Sequence, residues 1–190
     1  MSLRELTAEK HKLAERQEFV KVLFSGNINP IFYATFLKNQ HPIYEFLEIN
    51  ADMTRISDDL LDYRRASKIL QDYLELWPDP ENTKPETLPV VQEYLNHIKT
   101  LAFTNPQLLM AHIYVRHMGD LAGGQMIDKK VPGAGRFYQF ENPDLLKEKI
   151  RSKIDDSLAE EANICFDFAI KLFDQLMDLD IPIGHRYFWN

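Results

Sequence analysis

The sequence predicts an all-α protein, on three observations. Apolar residues recur at spacings of three and four along nearly the whole chain. No stretch alternates strictly between apolar and polar residues with turn residues at both ends, as a strand would. Asn, Pro and Gly fall mostly where the periodic segments begin and end. With 190 residues, 45% hydrophobic and 27% charged, the chain can bury a core of its own. No break in composition marks a linker. The expectation is a single multi-helix domain over 1–190, with a surface loop at 81–88 and a C-terminal tail at 181–190.

The elements follow in order. A first helix is expected from Thr7, a good N-cap type, to Gly26, a C-terminal stop. A second starts after Asn29 with Pro30 in its first turn and runs through "FYATFLKNQHPIYEFLEIN", with a kink at Pro42. A third covers about 57–77, before the loop "PDPENTKPETLP". A fourth spans about 88–103. Asn105 then caps, and Pro106 opens, a fifth helix that ends at "KKVPGAG". The last is long, about 143–179, and can bend.

Composition excludes several functions. A net charge of −7 disfavours a nucleic-acid-coating role. The single cysteine, Cys165, allows no disulfide within the chain, and no C-x-x-C-H haem attachment exists, so a reducing, cytoplasmic setting is expected. "MSLRELTAEKHK" lacks an apolar signal segment, and no run of 18 apolar residues occurs, so no membrane span is expected. Six histidines are present, at 11, 41, 97, 112, 117 and 185, but none has Glu three positions before it and none lies in H-E-x-x-H. Walker A, G-x-S-x-G, flavin and nicotinamide fingerprints are absent.

"RHMGDLAGGQMI" carries three glycines in six positions, each costing a helix about 1 kcal/mol. On a helix over 108–127, Leu108, Ala111, Val115, Met118, Ala122 and Met126 form an apolar stripe. Gly119 and Gly123 lie beside it on one bare face, which His112 and Arg116 extend. Such spacing also serves close helix packing or a kink. Asp120 and Gly124 make it look like a site, although Arg116 and Asp120, at i and i+4, could simply bridge on the surface.

On the first helix Arg4, Ala8, His11, Glu15, Phe19 and Val22 share a face, and Glu15 could hold the second ring nitrogen of a ligating His11. A surface histidine beside a carboxylate reads the same way. On the last helix Lys147 and Arg151 begin a face continued by Ile154, Leu158, Ala162, Phe166, Ala169 and Phe173. That pair is either a solvated cationic turn or a clamp for carboxylates on an apolar ligand. A flat apolar molecule with a metal and acidic edges suits all these features, and haem is such a molecule.

"YVRHMGDLAGGQMI" closely resembles the glycine signature of the haem oxygenases, which lies over the distal haem face. "HKLAERQEFVK" resembles the family's proximal helix, "IYEFLE" its distal tyrosine segment, "LLKEKIRSKID" its basic segment and "FAIKLFDQL" its final helix, in the same order over about 4–177. Ala8, His117 and Ala169 depart from residues common in the family: lysine, tyrosine and asparagine.

The resemblance implies haem b as both cofactor and substrate, cut with O2 at a meso carbon, the α one, to biliverdin, carbon monoxide and ferrous iron. It implies His11 as axial iron ligand with Glu15 as its partner. Gly119, Gly123 and Gly124 would lie against the porphyrin, and Asp120 would organise waters that deliver protons. Tyr44, Arg116, Phe166 and Phe173 would line the pocket. Arg4, Tyr114, Lys147 and Arg151 would hold the propionates. Electrons would come from an external donor, a soluble ferredoxin before a membrane-bound reductase, docking near Lys10, Lys12, Arg16, Lys149 and Lys153. A bilin reductase is a further partner, feeding phycobilin biosynthesis. The alternative on this fold is a haem carrier or sensor without turnover.

Overall fold

The computed structural model describes residues 2–79, 81 and 83–184, and among them every regular element is helical apart from one isolated bridge between Ile28 and Gly184. The first helix divides into α1 (Leu3–Leu6), α2 (Ala8–Glu15) and α3 (Glu18–Ser25). Ser2, not Thr7, starts it. Ser2 Oγ accepts from the Glu5 N–H at 3.4 Å while Glu5 Oε2 accepts from the Ser2 N–H at 2.7 Å. Thr7 gives its hydroxyl proton to the Leu3 carbonyl and leaves α2 without a side-chain cap. The break at Arg16–Gln17 interrupts the face expected to join His11 and Glu15 to Phe19. Gly26 closes α3 at φ 76, a left-handed conformation suited to glycine.

Asn29 Oδ1 accepts from the Ile31 and Phe32 N–H groups and starts α4 (Pro30–Met53), which runs on through Pro42. The third helix, α5 (Ala66–Leu76), begins nine residues later than the spacing predicts, counting from 57. The reason is not local. Asp52 at the end of α4 gathers the hydroxyls of Ser57 and Tyr63 and the guanidinium of Arg64, at 2.7, 2.6 and 2.6 Å, which winds 54–65 into turns. Glu48 Oε1, also on α4, accepts the N–H groups of Arg65 and Ala66 at 2.5 and 2.9 Å. The first turn of α5 is therefore capped from another helix.

The loop before α6 (Pro89–Thr104) is pinned by Asn39, which donates to the Glu86 carbonyl and accepts from the Leu88 N–H. Asn105 makes no side-chain cap. Pro106–Leu108 is a 3₁₀ turn, followed by α7 (Leu109–Gly119), a π-turn at Asp120–Gly124 and α8 (Gln125–Ile127). The last helix breaks at 153–155 into α9 (Pro143–Ser152) and α10 (Ala159–Met177). There Asp155 Oδ1 accepts from the Ser157 N–H and caps a 3₁₀ turn. Residues 181–184 of the tail lie beside 28–29, with the Asn29 N–H on the Ile183 carbonyl at 2.9 Å, and 185–190, including His185, lie outside the described residues.

Two helices organise the rest. α4 packs on α5, α6 and α7, and α10 packs on α2, α3, α6 and α7. Their shared core includes Phe32, Leu37 and Leu47 of α4, Ile98 of α6, Ile113 of α7 and Leu172 of α10, each at most 1% exposed. Among the described residues no helix is long and apolar enough to cross a membrane.

The cap from Glu48 is testable. Glu48→Ala leaves two buried N–H groups without an acceptor and is expected to cost about 2–3 kcal/mol in denaturant unfolding. Glu48→Gln keeps the oxygen and removes a carboxylate whose ionisation burial disfavours, so its loss is expected to be the smaller.

Candidate functional site

The glycine segment is not a regular helix. The π-turn at Asp120–Gly124 inserts one residue more per turn than an α-helix and shifts the buried face. The stripe holds through Ala111 and Val115, but Ala122 and Met126 are exposed, and Leu121, Gly124 and Ile127 are buried in their place. The three glycines thereby acquire different surroundings. A methyl group placed at Gly119 meets no atom within 4 Å. At Gly123 it meets only the edge of Phe24, at 3.6 Å. At Gly124 it overlaps the Tyr138 ring. Gly119 and Gly123 thus border open space as expected, whereas Gly124 is a packing glycine turned into the core.

Asp120 is 9% exposed and lies on the inner side of this turn. The Tyr44 hydroxyl donates to Asp120 Oδ2 at 2.6 Å. Burial pushes the Asp120 carboxyl up to about 7, against the opposing pull of the Tyr44 hydrogen bond and the Arg116 and Arg65 charges. Tyr33, fully buried, has a hydroxyl with no hydrogen-bond partner, and Asp120 is among the negative groups that keep Tyr33 and Tyr138 protonated after burial itself.

Arg116 does not bridge to Asp120, and neither it nor His112 extends the open glycine face. The Arg116 guanidinium is buried, donating to Gln40 Oε1 at 2.8 Å and Tyr94 Oη at 3.0 Å, and lies over the Tyr44 ring at 5.2 Å. Arg116 therefore lies behind Tyr44 and acts on Asp120 by charge rather than by a direct bridge. His112, fully buried, points to Tyr94 and Glu161. His117 lies with its nitrogens 3.0 and 2.7 Å from the Ile113 and Tyr63 carbonyls. Burial pushes its pKa down to about 4.

On the other side stand α2 and α3. His11 and Glu15 are both exposed, with His11 Nδ1 3.6 Å from Glu15 Oε2. The His11 ring meets Phe166 of α10 edge-on at 5.7 Å, and its Nε2 takes no partner among the described residues. Phe173 stacks on Phe19 of α3 at 5.1 Å. α10 contacts α2, α3 and α7, and so packs against both the helix of the His11 pair and the helix that leads into the glycine turn. Phe24 of α3 touches the turn at Gly123.

Of the expected clamp, Lys147 is partly exposed, 3.4 Å from Asp144, and Tyr114 is half-buried. Arg4 and Arg151 are exposed and make no ion pair with a described residue. Sequence reasoning missed Tyr94, Gln40, Tyr33 and Tyr138. No spacing links them to Asp120, and only a preference for partners of a buried acid could have pointed to the tyrosines.

The helical scaffold thus presents a side-chain-free turn, a buried acid behind it and an exposed imidazole whose Nε2 has no partner among the described residues, a set that suits a helical haem-binding protein. The chain matches the Heme oxygenase family model over residues 1–175 and belongs to that family, whose general reaction is degradation of haem to biliverdin. It is 28% identical to a heme oxygenase of Guillardia theta over 93% of this chain and 85% of the relative. It is 30% identical to one of Porphyra purpurea over 92% of this chain and 84% of the relative. The solved structure of heme oxygenase-1 from the cyanobacterium Synechocystis, in complex with heme, superposes with a TM-score of 0.78 at 26% identity, covering 92% of this chain and 90% of that one.

Two outcomes test the site as built. Gly124→Ala is expected to destabilise the fold by overlap with Tyr138, whereas Gly119→Ala is expected to stabilise it by about 0.5–1 kcal/mol, both read from thermal unfolding. Asp120 binds its proton more tightly folded than unfolded, so its contribution is lost as pH rises from its ordinary value of 3.8 through about 7. Asp120→Asn keeps an acceptor for Tyr44. Its stability gain over the parent is expected to open above pH 3.8 and level off beyond about 7, at roughly 2–4 kcal/mol, in denaturant titrations across pH.

Proposed function

We propose that this chain cleaves haem at the α-meso carbon, releasing biliverdin, carbon monoxide and ferrous iron, with O2 and electrons from a soluble ferredoxin. The observation that carries this reading is the pairing of a buried acid titrating near neutrality with a bare backbone at Gly119 next to it. The residues fit haem. Gly119 and Gly123 offer bare backbone for a flat ring to lie against, and the Nε2 of His11, without a partner among the described residues, is the donor that iron takes from a neutral imidazole. Bound haem supplies both the redox iron for O2 chemistry and the ring that is cut.

The protein's part is positioning and proton supply. Glu15 orients the His11 ring through Nδ1, closing the 3.6 Å gap directly or by one water. Gly119 and Gly123 present no side chain that could donate to the reacting centre, so Asp120 alone governs protons there through water. Its carboxyl, titrating near 7, can both accept and release a proton under physiological conditions. Phe166 and Phe173 shut solvent out along α10. Arg4, Tyr114, Lys147 and Arg151 hold the propionates and so choose the α edge. The Lys147–Asp144 pair is a weak surface contact that exchanges readily for a propionate. The donor docks on Lys12, Arg16 and Lys149, which stay free of ion pairs among the described residues. Lys10 is engaged by Asp167 and Lys153 by Asp59.

The test is haem reconstitution followed by O2 and a ferredoxin system, with bilin isomers separated. His11→Ala is expected to lose the histidine-ligated haem spectrum and nearly all turnover, and an unchanged spectrum removes the ligand assignment. Asp120→Ala is expected to retain haem while bilin formation falls about 100-fold or more. Lys147→Glu combined with Arg151→Glu is expected to redistribute the isomers, and a wholly α product removes the clamp.

A further inference from the structure

His97 of α6, His112 of α7 and Glu161 of α10 converge outside the pocket described above. His97 Nε2 and His112 Nε2 lie 2.5 and 2.8 Å from the same oxygen, Glu161 Oε1, and the three donor atoms fall within 4.8 Å of one another. The side chains are 27%, 0% and 7% exposed, so the cluster is closed except on the His97 side. Two imidazoles and a carboxylate from three separate helices are the protein ligands of a four-coordinate Zn²⁺-type site with one position open to water.

Hydrogen-bond accounting around Tyr94 decides whether His112 can serve. The Tyr94 hydroxyl receives Arg116 Nε–H at 3.0 Å and lies 2.7 Å from His112 Nδ1 and 3.1 Å from Cys165 Sγ. It has one proton and two lone pairs, so two arrangements satisfy it. In one, the Cys165 thiol donates to Tyr94 and Tyr94 donates to His112 Nδ1, leaving an N–H on Nε2 for Glu161. In the other, His112 Nδ1–H donates to Tyr94 and Tyr94 donates to Cys165 Sγ, leaving Nε2 to carry either a second proton, as an imidazolium paired with Glu161, or a bare lone pair. Both use the same number of contacts. The neutral form of the second arrangement is the tautomer a metal ligand needs, with its other nitrogen held by a neighbour, and there a metal cation takes the place of the imidazolium proton between Nε2 and Glu161.

We infer that His97, His112 and Glu161 form a binding site for a divalent ion of the Zn²⁺ class that ties α6, α7 and α10 together. Bonds of about 2.0–2.2 Å set tetrahedral donor atoms roughly 3.3–3.5 Å apart, so the two nitrogens, 2.5 and 2.8 Å from Glu161 Oε1, move away from it by roughly half to one ångström to admit the ion. His97 supplies that movement. It lies on the solvent side, held by Glu161 and by ring contacts with Phe168 and His112 at 5.3 and 5.6 Å.

The experiment titrates the full-length, haem-free chain with Co²⁺ as an optical probe and then displaces it with Zn²⁺. One Co²⁺ per chain with the visible bands of four-coordinate cobalt is expected. His97→Arg keeps an ion pair to Glu161, and hence the fold, but offers no lone pair, so it is expected to weaken binding at least about 100-fold. Tyr94→Phe retains all three ligands and is expected to weaken it about 10–100-fold. His11→Ala removes the exposed His–Glu pair and is expected to leave the four-coordinate bands intact. Absence of those bands, or equal binding by the parent and His97→Arg, overturns the site. So does loss of the bands in His11→Ala. None of these readouts depends on haem turnover.

Discussion

The hydrogen bond from Tyr44 to Asp120, 2.6 Å long and sheltered from water, is the contact on which the site depends. It exists because the π-turn starts at Asp120. The turn faces Asp120 inward while Gly119, one position earlier, stays open. A direct ion pair with Arg116 would hold the carboxyl ionised at all working pH values. The guanidinium is instead fixed on Gln40 and Tyr94 and reaches Asp120 only as a charge behind Tyr44. A neutral hydroxyl as the direct partner, set against burial, leaves the acid titrating close to neutrality.

α10 supports both sides of the space in front of that acid. It meets His11 through Phe166, α3 through Phe173 on Phe19, and α7 along its buried face. The two sides are not equally determined. Arg116 and Tyr94 are each held by several buried partners, and Asp120 by the buried Tyr44 hydroxyl. His11 and Glu15 are exposed on a two-turn helix flanked by breaks at Thr7 and Arg16. The acid side is thus the buried one and the His11 side the exposed one.

Legibility in the sequence follows the range of each interaction. Asn29-Pro30 and Gly26 mark helix ends through contacts a few residues long, and those boundaries stand. The start of α5 was hidden because its acceptor, Glu48, lies 17 and 18 residues away on another helix. The His11–Glu15 pair and the run of glycines around Asp120 were legible because they are local in sequence. The surroundings of Gly124 were misread because a constant 3.6-residue period was carried through a segment that does not keep it, and those of Arg116, which lies in the regular part of α7, because its partners come from other helices. Tyr94 and Gln40 reach Arg116 from 22 and 76 residues away, and no spacing carries such a relation.

The three glycines can now be separated by what requires them. At Gly124 the requirement is internal, since any side chain overlaps Tyr138. At Gly123 the protein would accept a methyl group in ordinary contact with Phe24, and at Gly119 it would accept one with nothing near it. Both adopt negative φ, so backbone strain does not call for glycine there either. Alanine at those two positions would relieve a penalty of about 1 kcal/mol each. The chain therefore carries a helix weaker than its own packing demands, on the side that faces open space. Packing and backbone geometry thus leave glycine unexplained at these two positions, and the proposed binding of a flat ring against bare backbone is the reading that accounts for it.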